Sequence, residues 1–194
     1  MRIKKLLVKR WINYFGSMSG SKQFKGDQFE RMEGLDYILN RCNSMSVLDI
    51  GSNNGLILYE FAKRGAKEVT GIEIDKRLVK FSNNLFQYVE MPHKFITWDL
   101  LVHPPPISKT DIVLFLGMFH HLCRQTEYTK NAISEERILE YVKFYLKNTG
   151  TYFVLSPSTN PQLNEVILKA GFIKVYSIKR KIEGTLVVYK RKNK

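Results

Sequence analysis

The residues able to do chemistry gather on one short stretch, Val47-Leu48-Asp49-Ile50-Gly51-Ser52-Asn53-Asn54-Gly55, and on two acids and two histidines that follow it, Glu73, Asp99, His120 and His121. Glu73 stands eighteen residues after Gly55, near the end of Val69-Thr70-Gly71-Ile72-Glu73-Ile74. The order is a buried strand, a glycine-bearing turn, a helix, and a second strand that ends on a carboxylate. Such an order builds a pocket for an adenosine-containing ligand at the carboxyl ends of parallel strands.

The turn narrows the ligand. A dinucleotide fingerprint needs Gly-x-Gly-x-x-Gly, because the backbone must approach a pyrophosphate at a helix N-terminus. Here the spacing is Gly51-x-Asn53-x-Gly55, with no further glycine before Tyr59 and Glu60. Asp49 stands just before the turn, where it would repel a phosphate and suit a ligand carrying an amino group and a sulfonium. The pattern resembles motif I of the class I S-adenosylmethionine-dependent methyltransferases, usually Asp/Glu-x-Gly-x-Gly-x-Gly. Asp49, Gly51 and Gly55 match it, and Asn53 replaces the middle glycine. Asparagine enters left-handed backbone more readily than most residues, so the turn can survive the exchange.

The elements needed to position these residues can be read from periodicity. From residue 46 onward strand and helix signals alternate, which argues a mostly parallel sheet. Strands are expected at Ser46–Ile50, Glu68–Ile74, His93–Trp98, Asp111–Gly117, Thr151–Ser156, Phe172–Ile178 and Thr185–Tyr189. Helices are expected at Gly55–Arg64, Lys76–Val89, from Ser134 through Leu146 towards Gly150, and at Asn160–Ala170. Gly65 and Gly171 are expected to stop two of them. The last two strands are joined by too short a loop to run parallel, so they must be antiparallel. The expected fold is α/β and Rossmann-like, a seven-stranded, mostly parallel sheet with an antiparallel final strand and helices on both faces. The class I methyltransferase fold also ends in such a hairpin, so the resemblance covers residues 46–190 in order. Residues 1–45 read as a basic N-terminal helical extension and 46–194 as the domain. Within the extension, Met1–Phe15 has the pattern of a basic amphipathic helix, and Asp27–Asn40 reads as a helix with Phe29, Met32, Leu35, Ile38 and Leu39 inward.

Charge is divided unevenly. The chain of 194 residues carries a net charge of +13. Residues 1–26 hold seven Lys/Arg and no acid, and residues 174–194 hold eight Lys/Arg with Glu183 alone against them. The 147 residues between are close to neutral, with 16 basic and 17 acidic side chains. Basic ends on a neutral domain point to RNA or another polyanion as partner. No run approaches the roughly eighteen apolar residues of a membrane span, and the N-terminus lacks a secretory pattern. Two cysteines, Cys42 and Cys123, make neither a disulfide framework nor a zinc set, and a reducing cytoplasm is the expected compartment. Nothing in the sequence sets the oligomeric state.

The resemblance assigns roles position by position. Glu73 corresponds to the carboxylate that takes both ribose hydroxyls of S-adenosylmethionine, the expected cofactor, and Ile74 adds an apolar wall. Asp99 corresponds to the acid that accepts from the adenine amino group, with Trp98 and Leu100 against the purine. Asp75 is two residues too far along and is expected to cap the next helix. The segment Leu116-Gly117-Met118-Phe119-His120-His121-Leu122, read as a loop after strand four, corresponds to the part that lines the methionine end and faces the acceptor. It lacks the Asp/Asn-Pro-Pro-Tyr/Phe of many amino-directed enzymes, the Pro-Cys of cytosine C5 enzymes, and the Asp at this strand end of ribose 2′-O enzymes. Neither histidine register supplies the Glu-x-x-Glu-His metal set, so no metal site is expected. His120 or His121 could take a proton from an attacking hydroxyl, since imidazole titrates near neutral pH. Gly-x-x-His-His loops resemble those of O-methyltransferases and of tRNA wobble-uridine methyltransferases. The latter also show a run like Gly34-Leu35-Asp36-Tyr37 before strand one. The expected function is methyl transfer from S-adenosylmethionine to an RNA. The alternatives are a small-molecule O- or N-methyltransferase, or a non-catalytic nucleic-acid-binding module, which the departure at Asn53 would favour.

Overall fold

The computed structural model describes residues 32–100, 105, 107–123, 134–157, 160–181 and 184–192. The expected helix Met1–Phe15 and the first part of Asp27–Asn40 lie outside the described residues. The chain begins, as described, with a short helix α1 (Asp36–Leu39) whose Leu35, Ile38 and Leu39 are buried in the core. Seven strands follow, interleaved with five helices: β1 (Ser46–Ile50), α2 (Leu56–Lys63), β2 (Glu68–Glu73), α3 (Lys76–Tyr88), β3 (His93–Thr97), β4 (Thr110–Leu116), α4 (Met118–Cys123), α5 (Glu135–Asn148), β5 (Thr149–Ser156), α6 (Pro161–Lys169), β6 (Phe172–Lys179) and β7 (Thr185–Arg191).

The strands form one sheet in the order β3-β2-β1-β4-β5-β7-β6. Strands β1 to β5 pair in parallel, while β7 runs antiparallel to both β5 and β6. The α/β, Rossmann-like expectation therefore holds, including the closing antiparallel hairpin. Strand order reverses between β1 and β4, which is where open parallel sheets form a crevice beyond the carboxyl ends of their strands. Ile112, Val113, Leu114 and Phe115 of β4 are buried in succession, as a strand covered on both faces demands.

Two apolar layers sandwich the sheet. One is built by α1, α2 and α3 on Val47, Val69, Ile112, Val154 and Val188. The other is built by α4, α5 and α6 on Leu48, Ile50, Val113, Phe153 and Val187. In α3, Val79, Phe81, Leu85 and Phe86 are buried as their spacing predicts. Phe86 meets Phe95 of β3 edge-on at 4.9 Å between ring centres, a geometry worth about 1 kcal/mol beyond area burial. Asp75 caps α3, its carboxylate accepting from the Arg77 amide at 2.8 Å.

The α5–β5 junction differs from expectation. Strand β5 starts at Thr149, two residues before the expected Thr151, and Gly150, towards which the helix was expected to run, lies within the strand. The helix end is closed by side chains. Thr149 Oγ1 donates to the Tyr145 carbonyl at 2.7 Å, and Arg191 Nε donates to the Thr149 carbonyl at 3.0 Å. Arg191 also lies over the Phe172 ring, 4.4 Å from its centre. With the terminal carbonyls satisfied in this way, no left-handed glycine is needed.

At the amino end of the sheet Asp111 ties β4 to β1. Its Oδ2 accepts from the Ser46 amide and hydroxyl, each at 2.9 Å, and Lys67 Nζ stands 3.7 Å away. Partial burial pushes the Asp111 carboxyl up, but the Ser46 donors and the Lys67 charge together outweigh it and hold the group below its ordinary value. A depressed folded value contributes stability above the unfolded pKa of about 3.9 and loses it as pH falls further. Asp111→Asn is thus expected to cost roughly 1 kcal/mol at pH 7. The gap between variant and parent should close below about pH 3; urea titrations across that range check both.

Candidate functional site

The strand β1 ends in a turn in which three residues take left-handed backbone: Gly51 (φ 78°), Asn53 (φ 50°) and Gly55 (φ 74°). Asn53 fills the place of the missing glycine with the backbone a glycine would adopt, and it is stabilised locally. Its Oδ1 accepts from the Asn54 amide at 2.7 Å, an exchange open to asparagine and not to glycine. The amides of Gly51 and Ser52 both donate to the Ile72 carbonyl at 2.9 Å, so the turn stays fastened to β2 beyond the end of the strand. Gly55 closes the turn by donating to the Ser52 carbonyl and then accepts from Tyr59, starting α2.

Glu73, the last residue of β2, binds this turn. Its Oε2 accepts from the Asn53 amide at 2.9 Å, and its Oε1 accepts from the amides of Ile74 at 2.8 Å and Asp75 at 3.0 Å. A carboxylate has about four acceptor positions, so Oε2 is the oxygen left with room for a further donor. The Glu73 carbonyl in turn accepts from the Trp98 amide at 2.9 Å. That bond brings Trp98, Asp99 and Leu100 to the end of β2. Asp99 is exposed at the rim, Ile74 is 37% exposed beside Glu73, and Leu100 is buried against the second apolar layer. Asp49 is 3% exposed, on the central strand between Gly71 of β2 and Leu114 of β4. It puts a carboxylate at the foot of the turn.

On the other side of the crevice, Gly117 follows β4 with φ 69°, and its amide donates to the Ser156 carbonyl of β5 at 2.6 Å. The segment expected as a loop is instead the helix α4, Met118–Cys123. Leu122 and Met118 supply its apolar side to the second layer. The backbone of His120 and His121 lies in α4; their side chains lie outside the described residues. Sequence reasoning did not single out Met118. A β-carbon on Gly51 would sit 2.2 Å from the Met118 sulfur, so this side chain lies directly on the turn and joins the two halves of the crevice. The signal was its place one residue after a glycine at the end of a central strand. At Gly55 a β-carbon would meet Phe95 at 2.9 Å and Ser82 Oγ at 3.0 Å, so protein packing alone already demands glycine there.

The structure thus brings Asp49, Gly51, Asn53, Gly55 and Glu73 together through backbone bonds, carries Ile74, Asp99 and Leu100 to the same rim, and sets Gly117 and α4 opposite. No group of three metal-ligating side chains occurs among the described residues. No helix among them is long and apolar enough to cross a membrane.

Comparison with known proteins agrees with this geometry. Residues 47–137 match a family described as a methyltransferase domain. The EEF1A lysine methyltransferase 2 of Danio rerio is 25% identical over 135 residues, which is 69% of this chain and 57% of that protein. Its match therefore leaves over a third of the relative's length without a counterpart. Among solved structures, magnesium protoporphyrin IX methyltransferase from Synechocystis with bound S-adenosylmethionine has a TM-score of 0.66 at 16% identity, covering 89% of this chain and 85% of that one. The 16S rRNA methylase RmtB has a TM-score of 0.63 at 18% identity, covering 96% and 74%. A TehB-like methyltransferase from Corynebacterium glutamicum has a TM-score of 0.62 at 15% identity, covering 95% and 99%. At such identities the solved structures share the fold. The matched methyltransferase-domain segment runs from β1 to the start of α5, and the fold around it is the one these solved methyltransferases share.

Gly51→Ala is expected to destabilise the protein by about 2–4 kcal/mol, from the left-handed backbone and the Met118 collision together. Adding Met118→Ala removes only the collision, so the double variant should melt above the sum of the two single losses. Differential scanning calorimetry of the four proteins measures that coupling.

Proposed function

We propose that this protein binds S-adenosylmethionine in the crevice between β1 and β4 and transfers its methyl group to an RNA acceptor. The observation that carries the cofactor assignment is the Glu73 carboxylate, held by three backbone amides with Oε2 able to take a ribose hydroxyl. Asp99 with Trp98 and Leu100 receives the adenine, and Ile74 adds an apolar wall. The turn Gly51–Gly55, with Asp49 below it, receives the methionine end, where a carboxylate favours a cationic amino group. When bound, S-adenosylmethionine supplies a methyl carbon made electrophilic by its sulfonium.

The protein's own part is positioning. Holding nucleophile and methyl group in line removes much of the entropic barrier of a bimolecular reaction. Gly117 and α4 face the acceptor, and His120 or His121 takes the proton from an acceptor hydroxyl, a smaller contribution of general-base type. Support for RNA comes from the basic ends of the chain, and the fold is shared with an rRNA methylase. A second reading, methylation of a protein lysine, rests on the 25% identity to the EEF1A lysine methyltransferase.

Glu73→Ala should weaken S-adenosylmethionine binding in calorimetry by about ten- to a hundred-fold, the worth of one charge-assisted hydrogen bond. An unchanged affinity would remove the cofactor assignment. Incubation with methyl-labelled S-adenosylmethionine and separate pools of tRNA, rRNA, proteins and small metabolites decides the acceptor. Label is expected in an RNA pool; label in protein alone would transfer the assignment to the second reading.

A further inference from the structure

The basic residues of the C-terminal segment are close in sequence, but those described are divided in space. Strand β7 is antiparallel to β5, and β6 is antiparallel to β7, so β6 runs the same way as β5. The end of β6 therefore reaches the sheet edge at which β1, β2, β4 and β5 also end. Lys179, Arg180 and Lys181 lie at that edge. Lys174 pairs with Tyr189, and Phe172 with Arg191, so Lys174, Lys190 and Lys192 lie at the opposite edge. Arg191 is occupied there with the end of α5.

The hairpin tip is pinned to the reaction side. Arg180 is 4% exposed, and its guanidinium donates to Ser156 Oγ at the end of β5. The Ser156 carbonyl accepts the Gly117 amide, so two hydrogen bonds connect the tip to the start of α4. The Arg180 amide donates to Gly184 at 3.0 Å, and the Lys181 amide donates to the Glu33 carboxylate at 3.1 Å. Lys179 and Lys181, on either side of the anchored arginine, are exposed. In sequence Glu183 is the one acid that follows in the hairpin.

Resting on the RNA reading above, we infer that Lys179 and Lys181 form the contact that holds the acceptor's phosphate backbone beside the methyl-transfer crevice. Three strand spacings of about 4.8 Å separate β6 from β4, so the tip lies ~14 Å from the end of β4. Lysine side chains reaching inward from there meet the backbone a nucleotide or two from a base seated at α4. The anchored Arg180 fixes their place, and the two ammonium groups act as point charges on phosphate. Lysines at the opposite edge share the same net charge yet stand a full strand length from the crevice.

Filter binding of total tRNA and of rRNA over a salt series tests this with three proteins: the parent, Lys179→Gln/Lys181→Gln, and Lys174→Gln/Lys192→Gln. All three should keep the same S-adenosylmethionine affinity and melting temperature, since each replaced side chain is exposed. The tip variant is expected to bind the RNA that the parent binds roughly 10-fold more weakly, with a salt slope shallower by about 1.4, or about 0.7 per lost phosphate contact. The opposite-edge variant should stay within about two-fold of the parent. A salt-dependent parent matched by the tip variant in affinity and slope overturns the inference and leaves the RNA reading standing. A parent that binds neither tRNA nor rRNA, or binds them without salt dependence, overturns both.

Discussion

One carboxylate holds the site in shape. Glu73 accepts hydrogen bonds from the amides of Asn53, Ile74 and Asp75, and its carbonyl accepts from Trp98. Three chain segments that end at the same sheet edge are thereby fixed to one residue. Without it the part-buried amides of Asn53 and Asp75 would lose their acceptor, each at a cost of about 1–3 kcal/mol. Glu73 is therefore structural in its own right, and the position of its carboxylate depends on the backbone that surrounds it.

The sheet divides the labour between its two edges. At the amino edge, Asp111 joins Ser46 and Lys67 and contributes to stability alone. At the carboxyl edge, β1, β2 and β3 lead into the glycine turn, Glu73 and Asp99, and β4, β5 and β6 lead to Gly117, α4 and the hairpin tip. The two halves meet where Met118 lies on Gly51. The same fold is shared by proteins named for rRNA, ribosomal-protein and porphyrin methylation, so the fold alone does not set the acceptor.

Charge illustrates how far composition can mislead before topology is known. Eight basic residues in the last 21 positions form one cluster on paper. In the fold Arg180 is buried on Ser156, Arg191 closes a helix, and the described lysines among them separate to opposite edges because a hairpin reverses direction. Cys42 is similarly internal, and burial pushes its thiol up, so it stays an inert apolar side chain.

Strand and helix order was legible in the sequence because alternation of period two and period 3.6 reports burial directly, and because Gly65 and Gly171 end helices in the left-handed backbone that glycine permits. The left-handed Asn53 and the cap at Asp75 were legible for the same reason, since both depend on neighbours within a few residues. Contacts between distant residues were not. That β5 starts at Thr149 depends on Arg191, more than forty residues away, and that Met118 covers Gly51 depends on β1 and β4 lying side by side. Local chemistry therefore determined the elements and the motif. Tertiary packing alone decided which side chains share an edge, because strand direction and order, invisible in local periodicity, set every long-range distance.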